Sequence, residues 1–183
     1  MIDSAYCQQM ARYGQWMNQK VFDVAARMSD SARRADRRAF FGSIHATLNH
    51  ILYGDLSWLS RFTNDGWQMP PMGTELHHEF DALRGAREET DVRLIDWAGG
   101  LSADWLAAPF AFTSVSDGIR RELPTWVVVT HLFQHATHHR GQLTTLYCQL
   151  GYDVGDTDLP KLPEFSSGDA AASGRLASLG SAS

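Results

Sequence analysis

The sequence predicts an all-α protein: an up-down four-helix bundle with a small β-hairpin inserted before the last helix. Three observations predict it. Four long stretches read as helices, three on apolar side chains at helical intervals and one, His77 to Gly99, on unevenly spaced ones. Clusters of Gly, Pro and Asn-Asp, which stop helices, separate most of them. Just before the last stretch, a short segment alternates apolar and polar residues around a turn signal, as a hairpin does. Helices that each carry one apolar stripe bury it by packing against one another.

The first helix is expected over Ser4 to Met28, where Met10, Tyr13, Met17, Val21, Val24 and Met28 recur at helical spacing without a Pro. Asp30-Ser-Ala-Arg-Arg-Ala-Asp36 reads as a polar connection with N-cap candidates. The second helix is expected over Phe40 to Phe62, on Phe41, Ile44, Leu48, Leu52, Leu59 and Phe62; Asn64-Asp-Gly stops it. Met69-Pro-Pro-Met-Gly73 marks an irregular linker, and the third helix follows over His77 to Gly99. Its charged middle (Arg84, Arg87, Glu88, Glu89, Asp91, Arg93) reads as a solvated face. The hairpin is expected over Phe110 to Glu122, turning at Ser116-Asp-Gly118. Pro124 suits the first turn of a fourth helix from Thr125 to Leu150, ended by Gly151. Residues 1–165 thus form one domain, and the Ser/Ala/Gly-rich stretch 166–183 reads as a disordered tail.

Composition narrows the function. The 183 residues carry 16 Lys+Arg against 21 Asp+Glu, a net charge of −5, and no helix face collects a stripe of basic residues. Nucleic acid is therefore a disfavoured partner, because phosphate binding needs clustered cations. No apolar run reaches the roughly 18 residues of a membrane span, and no secretory signal stands at the N-terminus. The two cysteines, Cys7 and Cys148, are far apart and lack metal-binding spacing, which fits reduced thiols in a cytoplasmic protein. What remains distinctive is eight His in a small chain.

Four of those His stand on the fourth helix. At about 100° per residue, His135 and His139 fall within the apolar stripe of Val128, Leu132, Leu143, Leu146 and Leu150. His131 and His138 fall beside Gln134, Gln142, Thr145 and Gln149 on a polar face, and read as solvated or as outer contacts of a site. Two imidazoles four residues apart on a core-facing stripe can reach one metal ion, with a facing helix supplying the rest of the ligands. The bland alternative is a pair of core histidines bonded to carbonyls or carboxylates. Candidates for a third ligand are His45 and His50 on the second helix and His77 and His78 at the linker. The helical wheel leaves His45 and His50 open, with a weak preference for His50 because Ser43, Ala46, Thr47, Gly54 and Ser57 leave room around it.

The segments His135-Ala-Thr-His-His139-Arg-Gly-Gln142 and Leu48-Asn-His50-Ile-Leu-Tyr-Gly-Asp55-Leu-Ser-Trp58, with Trp126-Val-Val-Val-Thr-His-Leu-Phe133 leading into the first, resemble the DinB/YfiT-like family. The resemblance runs from about Ser4 to Leu159. It implies a four-helix bundle that often dimerises and one divalent metal held by three His, here His50, His135 and His139. It also implies, for some relatives, S-transfer or isomerisation with a low-molecular-weight thiol as cofactor.

Three neutral imidazoles leave at least one coordination position open, as a catalytic metal requires. The leading expectation is a metal-dependent enzyme, in which a thiol held as thiolate attacks a small electrophile; the alternative is a non-catalytic metal- or ligand-binding bundle. Three His do not distinguish Zn, Ni or Fe. Asp55 lies about 140° around the helix from His50 and reads as a paired buried carboxylate. Arg140 reads as a structural ion pair, or else as a substrate contact. Trp126, Phe133 and Thr137 give the fourth helix a second face, from which a homodimer is expected.

Overall fold

A computed structural model of the chain describes residues 2–115 and 117–166. Four long helices dominate: α1 (Ser4–Ala26), α3 (Ile44–Thr63), α4 (Phe80–Gly99) and α6 (Thr125–Gln149). Short helices α2 (Asp30–Arg34) and α5 (Ala103–Ala107) fill connections, and strands β1 (Pro109–Thr113) and β2 (Arg120–Pro124) pair antiparallel just before α6. A 3-10 turn (Leu159–Lys161) and a last short helix α7 (Pro163–Ser166) follow. Apart from Ser166, the expected tail lies outside the described residues.

Helix boundaries follow capping chemistry. Asp3 caps α1 by accepting from the Tyr6 amide, and Ser43 caps α3 by accepting from the Ala46 amide. The second helix thus begins at Ile44, not Phe40, because Ala39 to Gly42 close a tight turn with Gly42 at φ 76°. Asn64 ends α3 in the left-handed conformation at φ 53°, which Asn tolerates better than most residues. The third helix begins at Phe80, not His77. The His77 amide donates to Asn49 Oδ1 at 2.9 Å, and its carbonyl accepts from Asn49 at 3.1 Å, so this residue is tied to α3.

The direction of the helices corrects the up-down expectation. α1 packs on α4 and α6, and α3 packs on α4 and α6. Contacts along α1 and α4 run in opposite senses: Ser4 to Ala98, Asn18 to Asp91, Asp23 to Arg84. Those between α3 and α4 run in the same sense: Asp55 to Arg87, and Asp65 just past α3 to Arg93. The order is therefore up, down, down, up. The physical reason is the segment 64–79, which runs back along α3 through Tyr53 to Pro70, Asn49 to His77 and His45 to His77. At up to about 3.3–3.6 Å per residue it readily spans the roughly 30 Å of α3.

The core has two apolar clusters. One joins Val21, Phe22, Leu48, Leu52, Leu83, Leu143 and Tyr147; the other joins Cys7, Ala11, Leu59, Leu94, Leu132 and Phe133. Between their members on each long helix stands a buried polar side chain: Asn18, Asp55, Arg87 with Asp91, and Arg140. Arg87 Nη1 donates to Asp55 Oδ2 at 2.6 Å, Asp91 pairs with Arg87 Nη2 at 2.9 Å, and Asn18 donates to Asp91 at 2.8 Å. The paired, buried Asp55 agrees with expectation. Arg87 and Asp91 do not lie on a solvated face: Asp55, reaching across from α3, turns that part of α4 inward. Arg140 is buried with them and donates to Asn18 and Thr137. It belongs to this network through Asn18 and, among the described residues, does not form the expected ion pair.

The hairpin turns Phe110 and Phe112 inward against Trp58 and Phe62 of α3 and Trp105 of α5. Phe133 is buried within the chain, whereas Trp126 is 37% exposed. No described helix is long and apolar enough to cross a membrane.

Candidate metal centre

His50 projects from the middle of α3, and His135 and His139 from successive turns of α6. Antiparallel packing of the two helices brings the rings together, with candidate ligand atoms all within 4.8 Å of one another. His135 Nε2 lies 3.1 Å from His50 Nε2 and 3.2 Å from His139 Nε2. Nitrogens bound to one tetrahedral Zn²⁺ at about 2.0–2.1 Å stand roughly 3.3 Å apart, so these spacings match three corners of such a site. No carboxylate among the described residues joins the group. A neutral donor set would leave a divalent ion its full charge.

The approach depends on Gly54, one turn beyond His50. A Cβ there would lie 2.6 Å from His135 Cε1 and 2.9 Å from its Nδ1. The space left by the missing side chain is filled by the His135 ring, a sharper role than the general roominess the sequence suggested. Phe41 stacks on His50 with centroids 3.8 Å apart and meets His139 edge-on at 5.3 Å. It covers the rings from the turn before α3. The hairpin lies further along, where Phe112 touches Trp58 and Trp58 touches His131.

The rings are neutral at pH 7. Burial pushes His50 down to about 4, helped by His139, and pushes His135 down to about 3, helped by its imidazole neighbours. Burial also lowers His139, against the Gln142 hydrogen bond. Neutral imidazole is the form that offers a lone pair to a metal. The Nδ1 atoms of His50 and His135 are buried and find no hydrogen-bond partner among the described residues. The three rings thus converge through Nε2 and fit a single cation, and could hold one.

The other histidines separate from this group. His45 is buried, with Nε2 3.0 Å from the His77 carbonyl and 3.2 Å from Glu75, and it anchors the returning segment. His77 and His78 stay in that segment; His78 Nδ1 lies 3.1 Å from Glu75. His131 and His138 are exposed, as the polar face suggested, although His138 touches Gln142. Sequence reasoning missed the specific roles of Gly54, Phe41 and Gln142. Only Gln142 left a usable signal, its i,i+3 spacing from His139. Beside the rings is a cavity of about 130 Å³ lined by Phe41, Ala46, Asn49, His50, Tyr53 and Glu75 among others.

Comparison with known proteins identifies the family. The chain is similar to Protein DinB of Bacillus subtilis (strain 168), 23% identical over 171 residues that cover 86% of this chain and 92% of that one. No solved structure matches it. The sequence model of the DinB family matches residues 1–170, which include all three converging histidines, and the chain belongs to the DinB family.

Proposed function

We propose that the protein holds one divalent metal ion through Nε2 of His50, His135 and His139, and uses it to catalyse attack of a low-molecular-weight thiol on a small electrophile. The observation that carries the metal reading is the convergence of three neutral imidazoles at spacings of 3.1 and 3.2 Å. A divalent ion there supplies positive charge and an open coordination position, the chemistry that makes a water or thiol nucleophilic at neutral pH.

The residues of this chain favour an external nucleophile. Cys7 is buried in the far apolar cluster and pushed up to about 11 by burial, with Asp3 adding to the rise. Cys148 is exposed beside Gly151 and Tyr152, away from the three histidines. With no cysteine thiol of its own at the site, the protein would bind and orient one, and Phe41 would shield the reacting atoms from water. The thiol-dependent transfer itself rests on the family resemblance. The alternative is a non-catalytic bundle whose ion ties α3 to α6.

Around this site we propose a four-helix bundle with the up, down, down, up order, acting in the cytoplasm as a homodimer. Phe133, one argument for the dimer, is satisfied within the chain; the exposed Trp126 and Tyr6 remain as its contact.

Metal analysis of the purified protein and of His50→Ala, His135→Ala and His139→Ala tests the site: about one ion per chain is expected, lost in each variant. Undiminished metal in all three would refute it. Turnover of chlorodinitrobenzene with one particular thiol, abolished by a chelator, supports the transferase. Metal retention and a large stability loss on stripping, without turnover with any thiol, supports the alternative. Light scattering of the eluting protein decides between monomer and dimer.

A further inference from the structure

The three imidazoles are held unequally. His50 and His135 have buried Nδ1 atoms with no hydrogen-bond partner among the described residues. His139 Nδ1 lies 2.8 Å from Gln142 Oε1, and the other end of the same amide, Gln142 Nε2, lies 3.2 Å from His138 Nε2. We propose that Gln142 is a positioning residue that fixes the His139 tautomer, and that the exposed His138 fixes the Gln142 amide. The proposal deepens the metal reading above and rests on it for its consequence.

The argument is one of donors and acceptors. An amide oxygen only accepts, so His139 must carry its proton on Nδ1. A neutral ring has a single N–H, so the lone pair falls on Nε2, the atom that faces His135. The amide nitrogen only donates, so His138 Nε2 must accept. Turned over, Gln142 would aim N–H groups at His139 Nδ1 and drive the proton onto Nε2, which could then bind no cation. In the arrangement seen, Oε1 faces His139 and Nε2 faces His138, which goes with a His138 Nε2 lone pair as acceptor. The helix makes the relay possible: Gln142 lies three residues after His139 and four after His138, both neighbours on one surface. His139 is thereby preset in the metal-free chain, while His50 and His135 have no partner at Nδ1 to choose their tautomer.

The relay is tested in metal-free wild type, Gln142→Leu, Gln142→Glu and His138→Ala. Long-range nitrogen–proton NMR above pH 7 reads the tautomer directly. The expected result is a single Nδ1–H tautomer of His139 in wild type and a mixture in Gln142→Leu. Zn²⁺ affinity, measured by chelator competition, is expected to fall about 10–100-fold in Gln142→Leu, the usual cost of losing such an outer contact. Gln142→Glu keeps the acceptor and is expected to bind close to wild type. His138→Ala is expected to show a smaller loss and a partial mixture of tautomers; no change in either would remove His138 from the relay. An Nε2–H tautomer in wild type overturns the proposal. So does Gln142→Leu matching wild type in both tautomer and affinity while His139→Ala has lost the metal. If wild type binds no Zn²⁺, the metal reading fails by itself, and the tautomer measurement still decides the positioning role.

Discussion

His139 and Arg140 are consecutive residues of α6, both buried, yet they face two different polar regions. Arg140 joins Arg87, Asp55, Asp91 and Asn18 between the two apolar clusters. That region balances two cations against two carboxylates, and each carboxylate has a close partner. The gap beside it is about 10 Å³, room for one water. His139 joins His50 and His135. That region has no formal charge, gathers three ring nitrogens, and adjoins a cavity of about 130 Å³. Burial of polar groups is common to both. What separates a structural network from a candidate site is the unspent, convergent donor set.

Removing a partner from each region should therefore have opposite signatures. The largest effect is expected from Arg87→Leu, which leaves Asp55 and Asp91 buried without their cation. Breaking a buried ion pair in this way costs about 3–5 kcal/mol. Urea denaturation measures it, and whatever fraction stays folded should keep its metal. Loss of metal with little loss of stability would dissolve the distinction between the regions.

The histidine region should instead respond to its ion. A ligand that binds only the folded state at 100 times its Kd stabilises it by about 2.7 kcal/mol. Wild type is expected to gain this much at such a Zn²⁺ excess, and His139→Ala to gain none. Thermal unfolding with and without Zn²⁺ measures the difference. An equal gain in both proteins would place the bound ion elsewhere.

Gly54→Ala probes the same region by shape alone. Its new methyl would lie 2.6 Å from His135 Cε1, and overpacking of this kind costs about 1–3 kcal/mol. The better helix propensity of Ala returns up to about 1 kcal/mol. The net loss of stability should be small and the loss of metal large, because His135 is pushed off the other two rings. Metal content and a denaturation curve on the same sample test this; full metal retention would show that His135 is dispensable.

The sequence showed the long helices because their apolar periodicity is a local property. It showed His135 and His139 as a pair because four residues on a helix is also local. The wheel gave His50 a weak preference over His45, and the family resemblance settled it. What the sequence could not show depended on partners in other elements. Arg87 and Asp91 look like the rest of a charged helix until Asp55 of α3 is set opposite them. The parallel course of α3 and α4 is decided by the returning segment 64–79, whose anchors His45, Asn49 and Tyr53 belong to α3. Gly54 reads as an ordinary small residue until the His135 ring is seen in its place.

Metal-free stability is also expected to depend on pH. His50 and His135 are held down to about 4 and about 3, chiefly by burial, while in the unfolded chain they titrate near the ordinary imidazole value of about 6.5. Between those limits the unfolded chain binds more protons, so stability rises with pH across this window. Above about pH 7 both forms are neutral at these rings and the contribution is flat. As the pH falls from about 6.5 toward 4, protons taken up by the unfolded chain pull the equilibrium away from the folded one. Denaturation midpoints with chelator present, measured at pH 8, 7, 6 and 5, should hold level and then fall. The double variant His50→Ala, His135→Ala should fall less over the same range. An identical slope in the double variant would assign the pH dependence to other groups, and the two rings would then not be the buried neutral bases that distinguish this region from the ion network beside it.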